Sequence, residues 1–191
     1  MLFAAGALSA QTAEKVLDKA AAVVGAKKGA QASFAMSGKR YGNQSGTIAI
    51  KGKKFCASTA QATIWYDGTT QWTYVKKNDE VSVAHPSASN QQVQNPYNFI
   101  FLYKKGFNSS ISNKTADNYE VHLTATDKSR KIQEMYISVN RKTYVPTRIR
   151  FRQGTDWTTI KISNFKTATL SDATFRFNQK DYPSAEVIDL R

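Results

Sequence analysis

The stretch Ile64-Trp65-Tyr66-Asp67-Gly68-Thr69-Thr70-Gln71-Trp72-Thr73-Tyr74-Val75 decides the fold of this chain. Two runs rich in aromatic and β-branched residues flank Asp67-Gly68, and both residues of that pair tolerate the positive φ that primed hairpin turns require. The stretch predicts two antiparallel strands joined by a tight turn. Its strands carry more large apolar side chains than one side of a solvated sheet needs, which favours a protein that holds something apolar.

The size and charge of the chain limit its organisation and its partners. The 191 residues fit one domain, long enough for a hydrophobic core and short for two domains. Lys and Arg number 27 against 14 Asp and Glu, which gives a net charge of +13. A basic exterior of this kind favours anionic partners, such as nucleic acid and acidic lipid headgroups.

An apolar run that closes on small residues opens the sequence, from Met1 to Gln11. It is typical of a secretory signal, so we expect residues 1–10 to be a signal-peptide remnant and residues 11–191 to be the single domain. Cys56 is the one cysteine, which excludes an internal disulfide and, at that position, a lipid anchor. Beyond the signal no apolar run approaches the roughly 20 residues of a membrane-spanning helix. The sequence therefore predicts an exported, soluble and unanchored protein.

Helical and strand periodicities alternate along the chain. Apolar residues at helical spacing predict a helix over residues 12–24, capped by Thr12. A second helix, apolar nearly all round, is predicted over residues 96–105. Period-two alternation predicts strands that include 80–83, 119–126, 132–140, 146–153 and 157–165. The expected fold class is α+β, mainly β: a curved antiparallel sheet forming an incomplete β-barrel, capped by helices that cover an apolar cavity.

Residues with catalytic or metal-binding potential are scattered. His85 and His122 are the only histidines, and neither has a His, Cys or carboxylate partner at metal-ligand spacing. No nucleophile elbow, paired-carboxylate motif or phosphate-binding loop is present. We expect a binding protein rather than an enzyme, with no metal and no cofactor.

Three arginines alternate with apolar residues near the end of the chain. Arg148, Arg150 and Arg152 flank Ile149 and Phe151, so their guanidinium groups project from one face of a strand. A solvated face is the simplest interpretation. Transient attraction to an anionic membrane surface comes second, because each basic residue near such a surface contributes on the order of 1 kcal/mol. No nucleic-acid partner is expected, since no RNA-recognition motif is present.

Large apolar side chains recur on the predicted strands and on the second helix. Core packing accounts for any one of them, but together they predict a cavity between a curved sheet and a helical lid. The residues expected to line this cavity are Phe34, Met36, Ile48, Ile50, Phe55, Trp65, Trp72, Tyr74, Phe99, Leu102, Ile137 and Phe151. The expected lid is the helix 96–105, and we expect Phe99→Asp to weaken ligand binding while the sheet stays folded.

Two motifs are similar to those of a known family. The segment Tyr66-Asp67-Gly68-Thr69-Thr70-Gln71-Trp72-Thr73-Tyr74 is similar to a D-G-x-x-x-W-x-Y hairpin, and it follows an early helix and the strand Gly46-Thr47-Ile48-Ala49-Ile50-Lys51. Near the end, Asp172-Ala173-Thr174-Phe175-Arg176-Phe177 with Pro183, Val187 and Asp189 is similar to an A-x-F-x-F…P…V-x-D ending. In this order the motifs resemble the LolA family of periplasmic lipoprotein carriers, over nearly the whole mature chain.

The resemblance implies a periplasmic carrier that holds the acyl chains of lipoproteins and shuttles them from the inner to the outer membrane. The implied partners are acylated lipoproteins, an inner-membrane ABC transporter of the lipoprotein-release type and an outer-membrane receptor, and the expected state is a monomer. In the family a Lys-Arg-Pro segment follows the second strand and its arginine latches the lid. Lys51 and Lys53 are the candidates for that latch here.

Other functions fit the same half-barrel. One is an envelope-stress sensor or regulator, which binds a signalling protein, and another is a transporter of free lipid. An enzyme acting on lipids is a more distant alternative. A partner pull-down separates the first of these from a carrier.

Overall fold

The computed structural model describes residues 12–86, 103–104 and 106–191. Helix α1 spans Ala13–Val24. The strands are β1 Ala30–Gly38, β2 Gly42–Lys51, β3 Lys54–Thr59, β4 Ala62–Tyr66, β5 Gln71–Val75, β6 Glu80–Ala84, β7 Phe107–Lys114, β8 Asn118–Ala125, β9 Glu134–Asn140, β10 Pro146–Gln153, β11 Asp156–Thr167 and β12 Glu186–Asp189. Two 3₁₀ turns, Asp172–Phe175 and Gln179–Asp181, lie between β11 and β12.

The described strands form one sheet, in the order β12-β6-β5-β4-β3-β2-β1-β11-β10-β9-β8-β7. β12 runs parallel to β6, and the remaining neighbours are antiparallel. The sheet is curved but not closed into a barrel, and β12 and β7 occupy its two edges. This architecture confirms the predicted fold class, a mainly β incomplete barrel with a helix.

Helix α1 forms where the helical spacing predicted it. Thr12 Oγ1 accepts a hydrogen bond from the backbone N–H of Lys15 at 3.2 Å, which satisfies one of the free donors of the first turn. Val16 and Leu17 are fully buried, and the helix packs against β7, β8 and β9. The apolar stripe of α1 thus covers one face of the sheet.

The aromatic stretch folds as the predicted hairpin, and of the Asp67-Gly68 pair only Gly68 takes a positive φ. β4 and β5 are joined by the loop 67–70, in which Gly68 has a φ of +106°. Asp67 acts through its side chain instead, because its Oδ1 accepts hydrogen bonds from the backbone N–H groups of Thr69 at 3.1 Å and Thr70 at 2.9 Å. An aspartate can stabilise a turn in this way without positive φ. The hairpin is confirmed, and the positive φ that the sequence allowed at both residues is found at Gly68 alone.

The strands predicted from alternation over 80–83 and 119–165 are present with shifted ends. Strands β3, β7 and β12 were not predicted.

The expected signal remnant 1–10 lies outside the described residues. The expected helix 96–105 also lies outside them, apart from Tyr103 and Lys104, which lie in a turn. No helix in the described ranges combines the length and the apolar character needed to cross a membrane.

Both faces of the sheet bury apolar side chains. The face that α1 covers, called the helix face below, carries a large cluster to which both halves of the sheet contribute. The opposite face, called the far face, carries a small cluster of Ala49, Leu170 and Phe175. This second cluster holds the segment 168–185 against the sheet.

Candidate functional site

The helix face is a continuous apolar surface built by strand register. Met36, Ile160, Ile149, Ile137 and Val121 are aligned across five neighbouring strands, β1, β11, β10, β9 and β8. Directly paired residues project from the same face of a sheet. The row therefore presents branched or flexible apolar side chains side by side, without a polar residue between them.

A second run continues this surface on the other half of the sheet. Phe55 pairs with Ile50 on one side and with Tyr66 on the other, and Ile48 lies opposite Ala57. Phe55 is 1% exposed, and Ile48 and Ile50 are 2% exposed. A ligand on this face therefore has to replace existing apolar contacts.

Seven of the predicted cavity residues share the helix face. They are Phe34, Met36, Ile48, Ile50, Phe55, Ile137 and Phe151. Their role in ligand binding stays a prediction. Phe99 and Leu102 lie outside the described residues.

Trp65, Trp72 and Tyr74 do not share that face. Trp65 pairs with Cys56 and with Trp72, and this register places all of them on the far face, along with Tyr74. The structure therefore separates these aromatic residues from the other predicted cavity residues. Alternation shows that residues two apart share a face, but it does not show which face a helix covers.

The C-terminal segment explains the aromatic residues of the far face. The ring of Tyr182 lies 5.6 Å from that of Trp65 and 4.6 Å from that of Tyr74, centroid to centroid. Phe177 packs on Trp65 at 5.7 Å. These contacts bury aromatic area, so the segment 168–185 is a second cover, on the face opposite to α1.

The two latch candidates have different surroundings. Lys51 Nζ donates to the carbonyl oxygen of Leu170 at 2.8 Å and lies 3.1 Å from Asp172 Oδ1. Lys54 Nζ lies 2.8 Å from the other carboxylate oxygen of Asp172. Hydrogen bonds from Lys54 and Lys51 hold the pKa of Asp172 below its usual value. Lys51 thus fastens the C-terminal segment, and Lys53 is exposed. Their predicted contact with the lid concerns residues that lie largely outside the described ranges.

A tether joins α1 to the residues that lead into β7. The hydroxyl of Tyr103 donates to Asp18 Oδ1, and Lys104 Nζ lies 3.1 Å from the same oxygen. Tyr103 is 7% exposed. The hydrogen bond from Tyr103, with that from Lys104, lowers the pKa of Asp18, and burial together with the Asp18 carboxylate raises the pKa of Tyr103. Sequence analysis missed this tether because its partners are 85 positions apart and neither stands in a motif.

The far face also carries an open cavity, with a volume of about 1020 Å³, near the centre of the sheet. Residues with small hydroxyl or amide side chains dominate its lining, and three lining residues are charged. Phe34 and Ile162, whose side chains belong to the helix-face cluster, also border it. The lining includes Ser33, Ser45, Thr47, Asn113, Thr115, Asn118, Glu120, Ser138, Thr147, Arg148, Lys161 and Ser163. A neighbouring cavity of about 380 Å³ is lined in part by Met36 and Lys161.

The predicted arginine row lies on this far face. Arg148 pairs with Glu120 at 2.7 Å, and Arg152 Nε lies 3.0 Å from Glu134 Oε2. Arg150 stacks on Trp157, with its guanidinium carbon 4.3 Å from the ring centroid. The three side chains share one face, as their alternation predicted.

The two histidines also lie on strands or at strand ends. His122 contacts Glu134 at 3.0 Å and stacks on Tyr136 with ring centroids 4.4 Å apart. His85 is exposed and lies 3.3 Å from the carbonyl oxygen of Thr69. The described ranges contain no group of three or more His, Cys, Asp or Glu residues placed to hold a metal ion.

The fold and its two faces define a class of protein: an open, curved β-sheet with one helix-covered apolar face. A family model described as outer membrane lipoprotein carrier protein LolA matches residues 3–155. The chain belongs to this LolA family, whose members are carrier or binding proteins rather than enzymes.

Several solved structures are similar to this chain. An uncharacterized conserved protein from Thermus thermophilus is 12% identical, with a TM-score of 0.64, over 93% of this chain and 98% of that chain. A LolA superfamily protein from Nitrosomonas europaea is 14% identical, with a TM-score of 0.47, over 88% and 99% of the two chains. The lipoprotein LppX from Mycobacterium tuberculosis is 9% identical, with a TM-score of 0.49, over 82% and 95%. The likeness to the Thermus protein supports the fold alone. No curated protein matches the sequence significantly.

Proposed function

We propose that this protein is a periplasmic carrier that binds the acyl chains of lipoproteins on its helix face and shuttles them from the inner to the outer membrane. The supporting observation is the apolar row from Met36 to Val121, which crosses five strands without a polar interruption. An acyl chain is a long apolar rod, and such a rod needs a long apolar surface rather than a compact pocket. Membership of the LolA family supports the same proposal.

The energetics of this face suit reversible binding. Each buried methylene contributes about 0.8 kcal/mol, so an acyl chain gains much by leaving water. Phe55 and Ile50, at 1% and 2% exposure, already have contacts that the ligand has to displace. The cost of that displacement offsets part of the gain, which allows a receiver with a better groove to take the ligand.

The proposed partners follow from the proposed route. An inner-membrane ABC transporter of the lipoprotein-release type loads the carrier, and an outer-membrane receptor unloads it. The carrier acts as a monomer, because a shuttle that buries its ligand on its own helix face needs no second copy.

Site-specific photocrosslinking tests the face that binds lipid. A photoreactive residue replaces Ile64, which is half-buried on the helix face, or Trp72, which is half-buried on the far face of the adjacent strand. With a triacylated lipopeptide, we expect crosslinks from position 64 and none from position 72. The same peptide without acyl chains should give none at either position.

The reverse pattern contradicts the proposed site. Crosslinks from position 72 alone place the ligand beneath the C-terminal segment, beside Trp65. An absence of lipopeptide binding by any measure rejects the carrier itself. Native mass spectrometry of protein purified from a periplasm identifies the natural ligand. The carrier proposal predicts that acylated peptides are bound to the protein.

A further inference from the structure

The far-face cavity brings two cations together on neighbouring strands. Arg148 of β10 and Lys161 of β11 are directly paired in register, and both line the cavity of about 1020 Å³. Directly opposite residues of antiparallel strands have Cβ atoms about 4.5–5.5 Å apart, and like charges in such pairs destabilise a sheet. A bound anion offsets the part of that repulsion that the ion pair between Arg148 and Glu120 leaves.

The surrounding charges leave an excess of positive charge. Glu120 lies 2.7 Å from Arg148 and balances it. Within the described ranges, neither Lys161 nor Arg150 has a carboxylate at ion-pairing distance. Lys161 is exposed, so its ammonium group is available to a ligand in the cavity.

The rest of the cavity wall suits a phosphate group. The hydroxyl groups of Ser33 and Ser163 line the cavity with Lys161, and the Ser33 hydroxyl accepts from Asn164, which leaves its proton available to a ligand. Hydroxyl and ammonium groups donate hydrogen bonds to phosphate oxygens, and charge-assisted bonds of this kind are the stronger ones. Small-molecule sites usually occupy about 300–1,000 Å³. A cavity of about 1020 Å³ therefore admits a substituted phosphate and not only the ion itself.

Aromatic side chains lie next to the cation pair on the same face. Arg150 is two residues from Arg148 and covers the ring of Trp157 at 4.3 Å. Tyr136 lies beside Trp157, with ring centroids 5.9 Å apart. Tryptophan and tyrosine are the residues that favour the headgroup region of a bilayer.

We propose that the far-face cavity binds the phosphate group of an anionic phospholipid headgroup and so docks the protein on an anionic bilayer with its far face toward the lipid. The helix face then points away from the membrane. The proposal goes beyond the carrier function, because it concerns the opposite face and the surface of a membrane rather than a transported acyl chain.

Matched lysine variants test the site. Binding of the full chain to vesicles of equal parts phosphatidylcholine and phosphatidylglycerol is compared for K161Q and K77Q, which remove the same charge. Lys77 is exposed in the turn between β5 and β6. We expect K161Q to weaken vesicle binding about fivefold, the effect of one cation near an anionic leaflet, and K77Q to have a much smaller effect. Equal losses overturn the proposal, since they indicate attraction by net charge alone.

A matched glutamate pair tests the same site in the opposite direction. E120Q removes the carboxylate that balances Arg148, whereas E186Q makes the same change in net charge on exposed β12. We expect E120Q to strengthen binding to the phosphatidylglycerol vesicles several-fold and E186Q to leave it nearly unchanged. Equal effects of the two variants contradict the proposed site.

Two further readouts identify the ligand and the orientation. Brominated phosphatidylglycerol should quench tryptophan fluorescence in the wild type and less in W157F. Because Trp72 also lies on the far face, equal quenching in the two rejects docking through the cavity beside Trp157. If the protein binds glycerol phosphate but not the vesicles, membrane docking is overturned in favour of a free phosphoester ligand.

Lipopeptide binding, measured separately, should be the same in K161Q and the wild type. Failure of the carrier proposal is therefore distinguishable from failure of this one.

Discussion

At the scale of single residues, Gly46 is the position at which β2 accepts no side chain. A Cβ built there lies 2.0 Å from the carbonyl oxygen of Ser58 and 3.1 Å from Cζ of Phe34. The first of these contacts is with backbone, so a rotamer change cannot relieve it. We expect Gly46→Ala to lower the free energy of unfolding by about 3 kcal/mol, the upper end of the cost of overpacking, as measured by urea denaturation.

Gly42→Ala is the matched control for this change. Gly42 lies on the same strand with a φ of +65°, and a Cβ there meets no atom within 4 Å. Gly42→Ala should lower the free energy of unfolding by about 1 kcal/mol, because alanine disfavours the positive φ at this position. If both variants lose the same stability, the close approach of Ser58 does not limit position 46.

The site residues show how far alternation predicts a binding face. Ile48 and Ile50 lie on one face of β2, as their spacing requires, and Phe55 joins them through strand register. Trp65 and Trp72 follow the same alternation but lie on the far face. Both faces are covered at this part of the sheet, so apolar character no longer distinguishes them. Only the packing of residues 168–185, which are distant in sequence, settles the assignment.

At the scale of elements, the C-terminal segment is fastened to the far face by charge as well as by aromatic packing. Asp172 contacts Lys51 and Lys54, and Asp67 lies 3.2 Å from Arg176. Cys56, beneath this segment, is partly buried beside Leu170 and Phe175, and burial raises the pKa of its thiol to about 11. The reactivity of this one cysteine therefore reports whether the segment is docked.

We expect Asp172→Asn to increase the rate at which an aromatic disulfide labels Cys56 by a few-fold at neutral pH, because the substitution removes the charge that both lysines contact. The effect is modest since the Asp172 side chain is 61% exposed. The control is Asp181→Asn, in the same segment, where the carboxylate accepts a hydrogen bond from Asn178. Equal labelling of the wild type and D172N contradicts a fastening role for this ion pair.

Acid should remove the difference between the wild type and D172N. The pKa of Asp172 is lowered in the folded protein by hydrogen bonds from Lys54 and Lys51. A carboxylate of this kind stabilises the docked segment at pH values above its unfolded pKa and loses that effect as the pH falls through the lower, folded value. The ratio of the two labelling rates should therefore fall toward one as the pH drops from about 4 through the folded pKa of Asp172. A difference that persists in strong acid assigns the effect of the substitution to something other than charge.

Edge elements were the least accessible to sequence analysis. β7, Phe107–Lys114, carries mostly serine, asparagine and lysine, yet it pairs with β8 from end to end, with one irregularity between Ile111 and Asn113. Backbone hydrogen bonds specify such a strand, and they leave no trace in side-chain alternation. β12 is equally hidden, because its four residues are all exposed and its pairing with β6 is parallel.

At the scale of the whole molecule, the open sheet determines how the helix face can be exposed. β7 and β12 lie at opposite edges, so no strand pairing between them closes the structure. The helix face can therefore open by movement of α1 without loss of ladder hydrogen bonds. The contacts of α1 with its surroundings then control access, and the tether from Asp18 to Tyr103 and Lys104 is one of them.

We expect Tyr103→Phe to speed the association of a triacylated lipopeptide about three- to fivefold while leaving the fold intact. The phenyl ring keeps the buried packing of Tyr103, and only the hydrogen bond to Asp18 is lost. A hydrogen bond to a charged group usually contributes more than this. The expected effect is smaller here because the Asp18 side chain is 55% exposed. Tyr144→Phe is the control: the Tyr144 hydroxyl accepts from Lys19 of the same helix at 3.1 Å, but it joins α1 to the turn between β9 and β10. Stopped-flow association separates the two variants, and hydrogen exchange over residues 103–107 gives a readout that needs no ligand.

Faster association in both variants indicates that α1 moves as a whole, whereas faster exchange and association in Y103F alone place the gate at the entry to β7.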